Sequence, residues 1–179
     1  MDPNQLSRTF PIPKPTHFFP LSGGGNNRLF KLEFKDRNPL VLKQYFQHPN
    51  DLRPRLHAEF SFLKYAWNIG IRNIPEPLYA SANSNEALYS FLPCNPIQVG
   101  DITDSLVQQI LSFFHSLNQQ KQQATDLPKA SEACFCANDY LEITEKRVLR
   151  LLTIPDETPI EKEVKFFVIQ NLIPKWEKL

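Results

Sequence analysis

Between His17 and Phe46 the chain alternates apolar and polar residues in three short runs. "HFFPLS" leads into a glycine cluster, and "RLFKLEF" leaves it with Leu29, Phe30, Leu32 and Phe34 among polar neighbours. "LVLKQYF" follows a "KDRNP" turn. Period-two patterning with β-forming residues predicts three strands. No crossover helix separates them, so the sheet is expected to be antiparallel. The period then changes: Leu56, Phe60, Leu63 and Trp67 fall at helical spacing. They predict a helix over residues 50–69, capped by Asn50 or Asp51, with Pro54 in its first turn and Gly70 as its stop. "IPEPLYASA" and "EALYSFL" read as two more strands around an "NSN" turn.

Beyond Pro96 the pattern is helical. An amphipathic helix is expected over residues 102–122, capped by Thr103 or Asp101, and two further helices over 138–153 and about 159–178. "VKFFVIQNLI" is apolar nearly all round, which suits burial rather than a solvent face. Residues 1–16, rich in proline and polar side chains, read as an extended arm. The expected organisation is therefore an arm (1–16), a sheet-and-helix region (17–97) and a helical region (98–179).

Composition narrows this only modestly. The chain has 179 residues, of which 41% are hydrophobic, enough for a core, and a formal net charge of +1. That balance argues against a nucleic-acid binder held by a basic face. The apolar runs are too short to span a bilayer, and the N-terminus lacks the pattern of a secretory signal. A cytoplasmic location is the default expectation. Cys94, Cys134 and Cys136 suit neither a disulfide framework nor a zinc site, and free thiols are expected.

Three of the five glycines, Gly23, Gly24 and Gly25, stand together between the first two strands. The spacing fails as a P-loop, since no Gly-Lys-Ser/Thr follows, and as a dinucleotide fingerprint, since a strand and not a helix follows. A mobile hairpin is one reading. The other is a turn whose backbone N–H groups approach phosphate without a Cβ in the way. Two charged residues favour the second. Lys43 sits in the mostly apolar "LVLK" strand, where it either snorkels or finds a partner. Glu59, with Leu56 at i−3 and Leu63 at i+4, is expected on the buried helix face, where a carboxylate is costly unless paired. Lys43 is the candidate partner.

In this order the motifs resemble the amino-terminal lobe of the aminoglycoside phosphotransferase and choline kinase family, which has the protein-kinase-like fold. Gly24, Asn27, Leu29 and Phe30 fit its glycine-loop pattern, and Val41-Leu42-Lys43 fits its lysine strand. Glu59 with Leu63 fits its helix glutamate, "IPEP" at 74–77 its step into the fourth strand, and "YSFLPCNPI" at 89–97 its hinge, with Cys94 where glycine is usual. Phe113-Phe114-His115-Ser116-Leu117 approximates its "L-H-x-L" helix end. The resemblance covers residues 17–117.

The resemblance implies an α+β fold: a kinase-like N-lobe of five antiparallel strands and one helix, followed by helices of an incomplete C-lobe. It implies ATP as cofactor, with Mg²⁺ needed by the complete family fold. The nucleotide contacts would be Gly24, Gly25, Asn27, Val41, Lys43, Glu59 and the hinge residues Ser90, Phe91 and Leu92. Glu59 would fix Lys43 on the phosphates, Val41 would line the adenine pocket, and the hinge backbone would hold adenine. The family's His-Gly-Asp-x-x-x-x-Asn catalytic loop and its metal-binding Asp have no counterpart in these residues. No catalytic or metal-binding residue is therefore assigned, and the chain is expected to be inactive alone, stopping before the catalytic loop. The partners implied are a nucleotide and a C-lobe polypeptide or a second copy meeting the exposed helices. The alternatives are a non-catalytic pseudokinase-like interaction module, and an α+β domain with no phosphate chemistry.

Overall fold

The computed structural model describes residues 3–22, 25–49, 51, 53–95, 97–130 and 133–178. It is a mixed α+β structure with one five-stranded antiparallel sheet and several helices. The chain forms two compact units, Met1–Pro128 and Lys129–Leu179.

In the first unit, β1 (His17–Leu21), β2 (Arg28–Glu33) and β3 (Leu40–Gln44) follow in meander. Helix α2 (Arg55–Asn68) comes next, then β4 (Pro77–Ser81) and β5 (Glu86–Ser90). The sheet order is β1-β2-β3-β5-β4, so β5 inserts beside β3 and leaves β4 at an edge. The edge strands β1 and β4 are the ones that carry proline, Pro20 and Pro77, where a missing N–H costs least. The turn into β5 ends at Asn85, whose φ of 52° lies in the left-handed region that Asn tolerates better than most residues.

Alternation divides the strands between two faces. Leu32, Leu40, Leu42 and Leu88 form one core, each at most 3% exposed. The N-terminal segment covers that core: α1 (Pro3–Thr9) brings Leu6, and Phe10 and Ile12 follow it, all three buried. The expected extended arm is thus corrected. Leu6 and Phe10 stand at i and i+4, the spacing of one helix face, and burying them outweighs the proline-rich composition. The opposite sheet face carries Val41, Tyr45, Ala87 and Tyr89, packed against Leu56, Phe60 and Leu63 of α2.

Helix α2 starts later than expected. Asp51 is not its cap, and Asn50 lies outside the described residues. Pro54 occupies the N-cap with φ −78° and ψ 64°, and a residue before proline is biased away from helical geometry, so Arg53 cannot join. The stop is as expected. Gly70, at φ 95°, closes a Schellman motif in which Gly70 N–H donates to Trp67 O and Ile71 N–H to Ala66 O, both at 3.1 Å. Helix α3 (Asp104–Gln119) begins at Thr103, whose side chain accepts from Leu106 N–H. The Tyr65 hydroxyl donates to Leu117 O at 2.9 Å, which places α3 with the sheet. The first compact unit thus runs through α3 to Pro128.

In the second unit, α4 (Ala137–Leu151) is capped by Asp139, whose carboxylate accepts from the N–H groups of Phe135 and Cys136. Thr158 and Glu161 form a capping box for α5 (Pro159–Phe167), with Pro159 at the first helical position. The helix continues through a π-type turn, Val168–Leu172, into α6 (Ile173–Trp176). Pro174 lacks an N–H and its ring crowds the preceding turn, a sufficient reason for that turn to widen.

Candidate functional site

The site is built on β3. Lys43 lies between Leu29 of β2 and Ala87 of β5, and the small Ala87 leaves room for the lysine stem. Its Nζ donates to both carboxylate oxygens of Glu59, each at 2.7 Å. The Lys43 side chain is 15% exposed and that of Glu59 is 38% exposed. Glu59 therefore sits at the rim of the buried helix face rather than within it, and the pair has one sheltered and one solvated member. The ammonium also lies 5.0 Å from the centre of the Tyr45 ring, a cation–π distance.

Beside the pair lie two tyrosines that are not among the expected site residues. The Tyr45 and Tyr89 hydroxyls meet at 2.6 Å, both side chains buried. Burial pushes both phenols well above the ordinary tyrosine range, and the nearby Glu59 carboxylate adds to the shift. Both remain neutral hydrogen-bonding groups. The available signal was the strand period: Tyr45 is two residues from Lys43, and Tyr89 is the register partner of Val41. Tyr45 is pinned further by its backbone, which exchanges bonds with Asn85, while Phe46 N–H donates to the Asn27 side chain at 3.0 Å. Asn27 thus ties the exit of the glycine turn to the end of β3.

Val41 is half-buried beside Lys31 of β2 and Tyr89 of β5. Lys31 bonds Glu33 at 2.7 Å and stands 4.8 Å from the centre of the Phe91 ring. Two of the three expected hinge N–H groups are engaged within the fold: Ser90 N–H donates to Glu76 O, and Phe91 N–H to Pro39 O. Leu92 makes no such bond among the described residues. Gly24 lies outside the described residues. Gly25 is described, its φ is not left-handed, and a Cβ built on it would meet nothing within 4 Å. Neither crowding nor backbone strain within the fold calls for glycine there.

The structure therefore places Lys43 and Val41 on one sheet face, bonds Lys43 to Glu59 of α2, and holds Asn27 against the chain just beyond β3. Ser90 ends β5, and Phe91 and Leu92 follow it directly. Among the described residues, no group of three or more His, Cys, Asp or Glu could hold a metal ion, and no helix is long and apolar enough to cross a membrane. Cys94, Cys134 and Cys136 are exposed and not joined in disulfides. Compared with known proteins, the chain matches no family model and no curated sequence.

Proposed function

We propose that residues 17–97 are the nucleotide-binding lobe of a small-molecule phosphotransferase of the protein-kinase-like kind. The observation that carries this reading is the Lys43–Glu59 pair, with both carboxylate oxygens 2.7 Å from Nζ, set on β3 and on the single helix between β3 and β4. A mostly sheltered ammonium anchored at one side is a suitable point charge for a nucleotide phosphate. The open space over Gly25 is a second support, because a glycine that the fold does not require is one that a ligand's close approach would explain. ATP would be held by Lys43 through its phosphates, under the Gly24–Gly25 turn, with adenine against Val41. Of the hinge residues, Leu92 is best suited to meet adenine through its N–H, since Ser90 and Phe91 are engaged elsewhere. Asn27 and Glu59 act by positioning. Mg²⁺ would accompany the nucleotide in a complete fold, and no residue here is assigned to hold it.

Thermal unfolding with MgATP tests this. A ligand at one hundred times its Kd stabilises a fold by about 2.7 kcal/mol. Saturating MgATP should raise Tm, and Lys43→Ala should abolish the rise. No rise at millimolar MgATP, or one that survives Lys43→Ala, would overturn the reading. These residues alone are expected to transfer no phosphate to aminoglycosides, choline or sugars, because they contain no catalytic-loop motif.

A second reading, a non-catalytic interaction module or a subunit that meets a separate lobe, is favoured by the helices. Ile110 and Phe114 of α3 are 59% and 64% exposed. Such surface is costly in water and suits a protein partner or a second copy. A strictly monomeric chain at all concentrations by sedimentation would count against self-association.

A further inference from the structure

A groove of about 620 Å³ lies where the chain passes from β3 into α2, and neither Lys43 nor Glu59 lines it. Its walls combine the Phe46 ring, the His48 and His57 imidazoles and the Arg53 and Arg55 guanidinium groups around a single carboxylate, Asp51. Asp51 accepts from Arg53 Nε at 2.6 Å and from Arg55 Nη2 at 2.6 Å, so one acid holds two guanidinium groups. These three residues carry one surplus positive charge. Both arginines meet Asp51 through the same edge, Nε with Nη2. The Arg55 Nη1 group lies on the opposite edge of its guanidinium. Its guanidinium carbon also stands 5.9 Å from the Phe46 ring centre, and His48 stacks on Phe46 at an interplanar angle of 3°. His57 meets Ser61 through Nδ1 and retains Nε2.

We propose that this groove binds a small molecule bearing an oxyanion, a phosphate or carboxylate, on an aromatic or aliphatic body. The volume suits a small ligand. Guanidinium groups pre-oriented by one carboxylate recognise an oxyanion by charge-assisted hydrogen bonds, without first losing side-chain freedom. The apolar body would lie against Phe46. The site is separate from the proposed nucleotide site and does not depend on it.

The test is titration of the ¹⁵N-labelled full chain with phenyl phosphate, and with benzyl alcohol as its uncharged counterpart, followed by amide shifts. Phenyl phosphate should bind saturably and move the amides of His48, Asp51, Arg53, Arg55, His57 and Asn85. Arg55→Gln should weaken it by at least about tenfold, while Lys43→Ala should leave it unchanged. If Arg55→Gln does not fold, as judged by its amide spectrum, Arg53→Gln carries the same test. Three results would overturn the proposal: no saturable binding, equal binding of benzyl alcohol, or binding lost in Lys43→Ala and retained without either arginine.

Discussion

The sheet and the helices after residue 98 solve the same problem differently. Leu32, Leu42 and Leu88 are fully buried, and both faces of the sheet are covered, one by residues 6–12 and the other by α2. Helix α3 has sixteen residues and buries none of them, α4 buries only Val148, and α5 buries none. Yet the helices are well specified locally: Thr103, Asp139 and the Thr158–Glu161 box satisfy N–H groups that would otherwise lack partners. Local rules decide where a helix begins. Tertiary burial decides what its apolar face is for, and among the described residues the sheet region buries a far larger apolar set than the helical one, which buries Val148 and Val168.

The largest effect that would separate the two regions is a matched pair of truncations. Leu42→Ala, in the closed core, should cost about 2–5 kcal/mol in chemical denaturation. Phe114→Ala, on an exposed helix face, should stay within about 0.5 kcal/mol. A comparable loss at Phe114 would mean that the α3 face is covered in solution. Next in size is the buried hydroxyl pair. Tyr45→Phe leaves the Tyr89 hydroxyl without its partner, and a buried orphan of this kind costs about 1–3 kcal/mol. An unchanged stability would mean that water reaches the pair.

The caps come third. Thr103→Ala should destabilise the sheet-bearing unit by roughly 0.5–2 kcal/mol only if α3 is coupled to it through the Tyr65–Leu117 bond. An effect confined to local helix fraying, seen as faster exchange of the Leu106 amide without a shift in global stability, would uncouple α3 from the sheet.

Much of this was legible in the sequence. Strand alternation, the Gly70 stop and the Lys43–Glu59 pairing follow from periods of two and 3.6 and from the cost of leaving charges on apolar faces. The start of α2 was misread because a proline's effect on the residue before it was weighed less than a cap-like Asp51, which instead serves two arginines. The N-terminal helix was missed because Leu6, Phe10 and Ile12 are scattered apolar residues in a proline-rich segment, and nothing local says that a sheet face awaits them. The tyrosine pair was only half legible. The strand period puts Tyr45 on the face of Lys43, but Tyr89 is 44 residues away and reaches it through the hydroxyl bond once β3 and β5 are paired.

The smallest effect concerns acid, and it compares the units again. Backbone N–H groups hold the Asp139 carboxyl below its ordinary range, and Thr158 does the same for Glu161. Arg53 and then Arg55 lower Asp51 by more. A carboxyl whose folded pKa is depressed contributes stability that is present above its unfolded pKa and lost as pH falls through the folded one. The helix caps of residues 129–179 should therefore loosen before the Asp51 cluster as a solution is acidified below the usual carboxylate range. Amide exchange reads this directly, after correction for the intrinsic pH dependence of exchange. The Phe135, Cys136 and Thr158 N–H groups should lose protection at a higher pH than Arg53 N–H, which donates to Asp51 at 3.3 Å. Asp139→Asn and Glu161→Gln should each remove the pH dependence of their own cap and leave that of Arg53 in place. Simultaneous loss at all four amides would mean that the two units unfold as one, and that the contrast between a closed sheet and open helices does not extend to their stability.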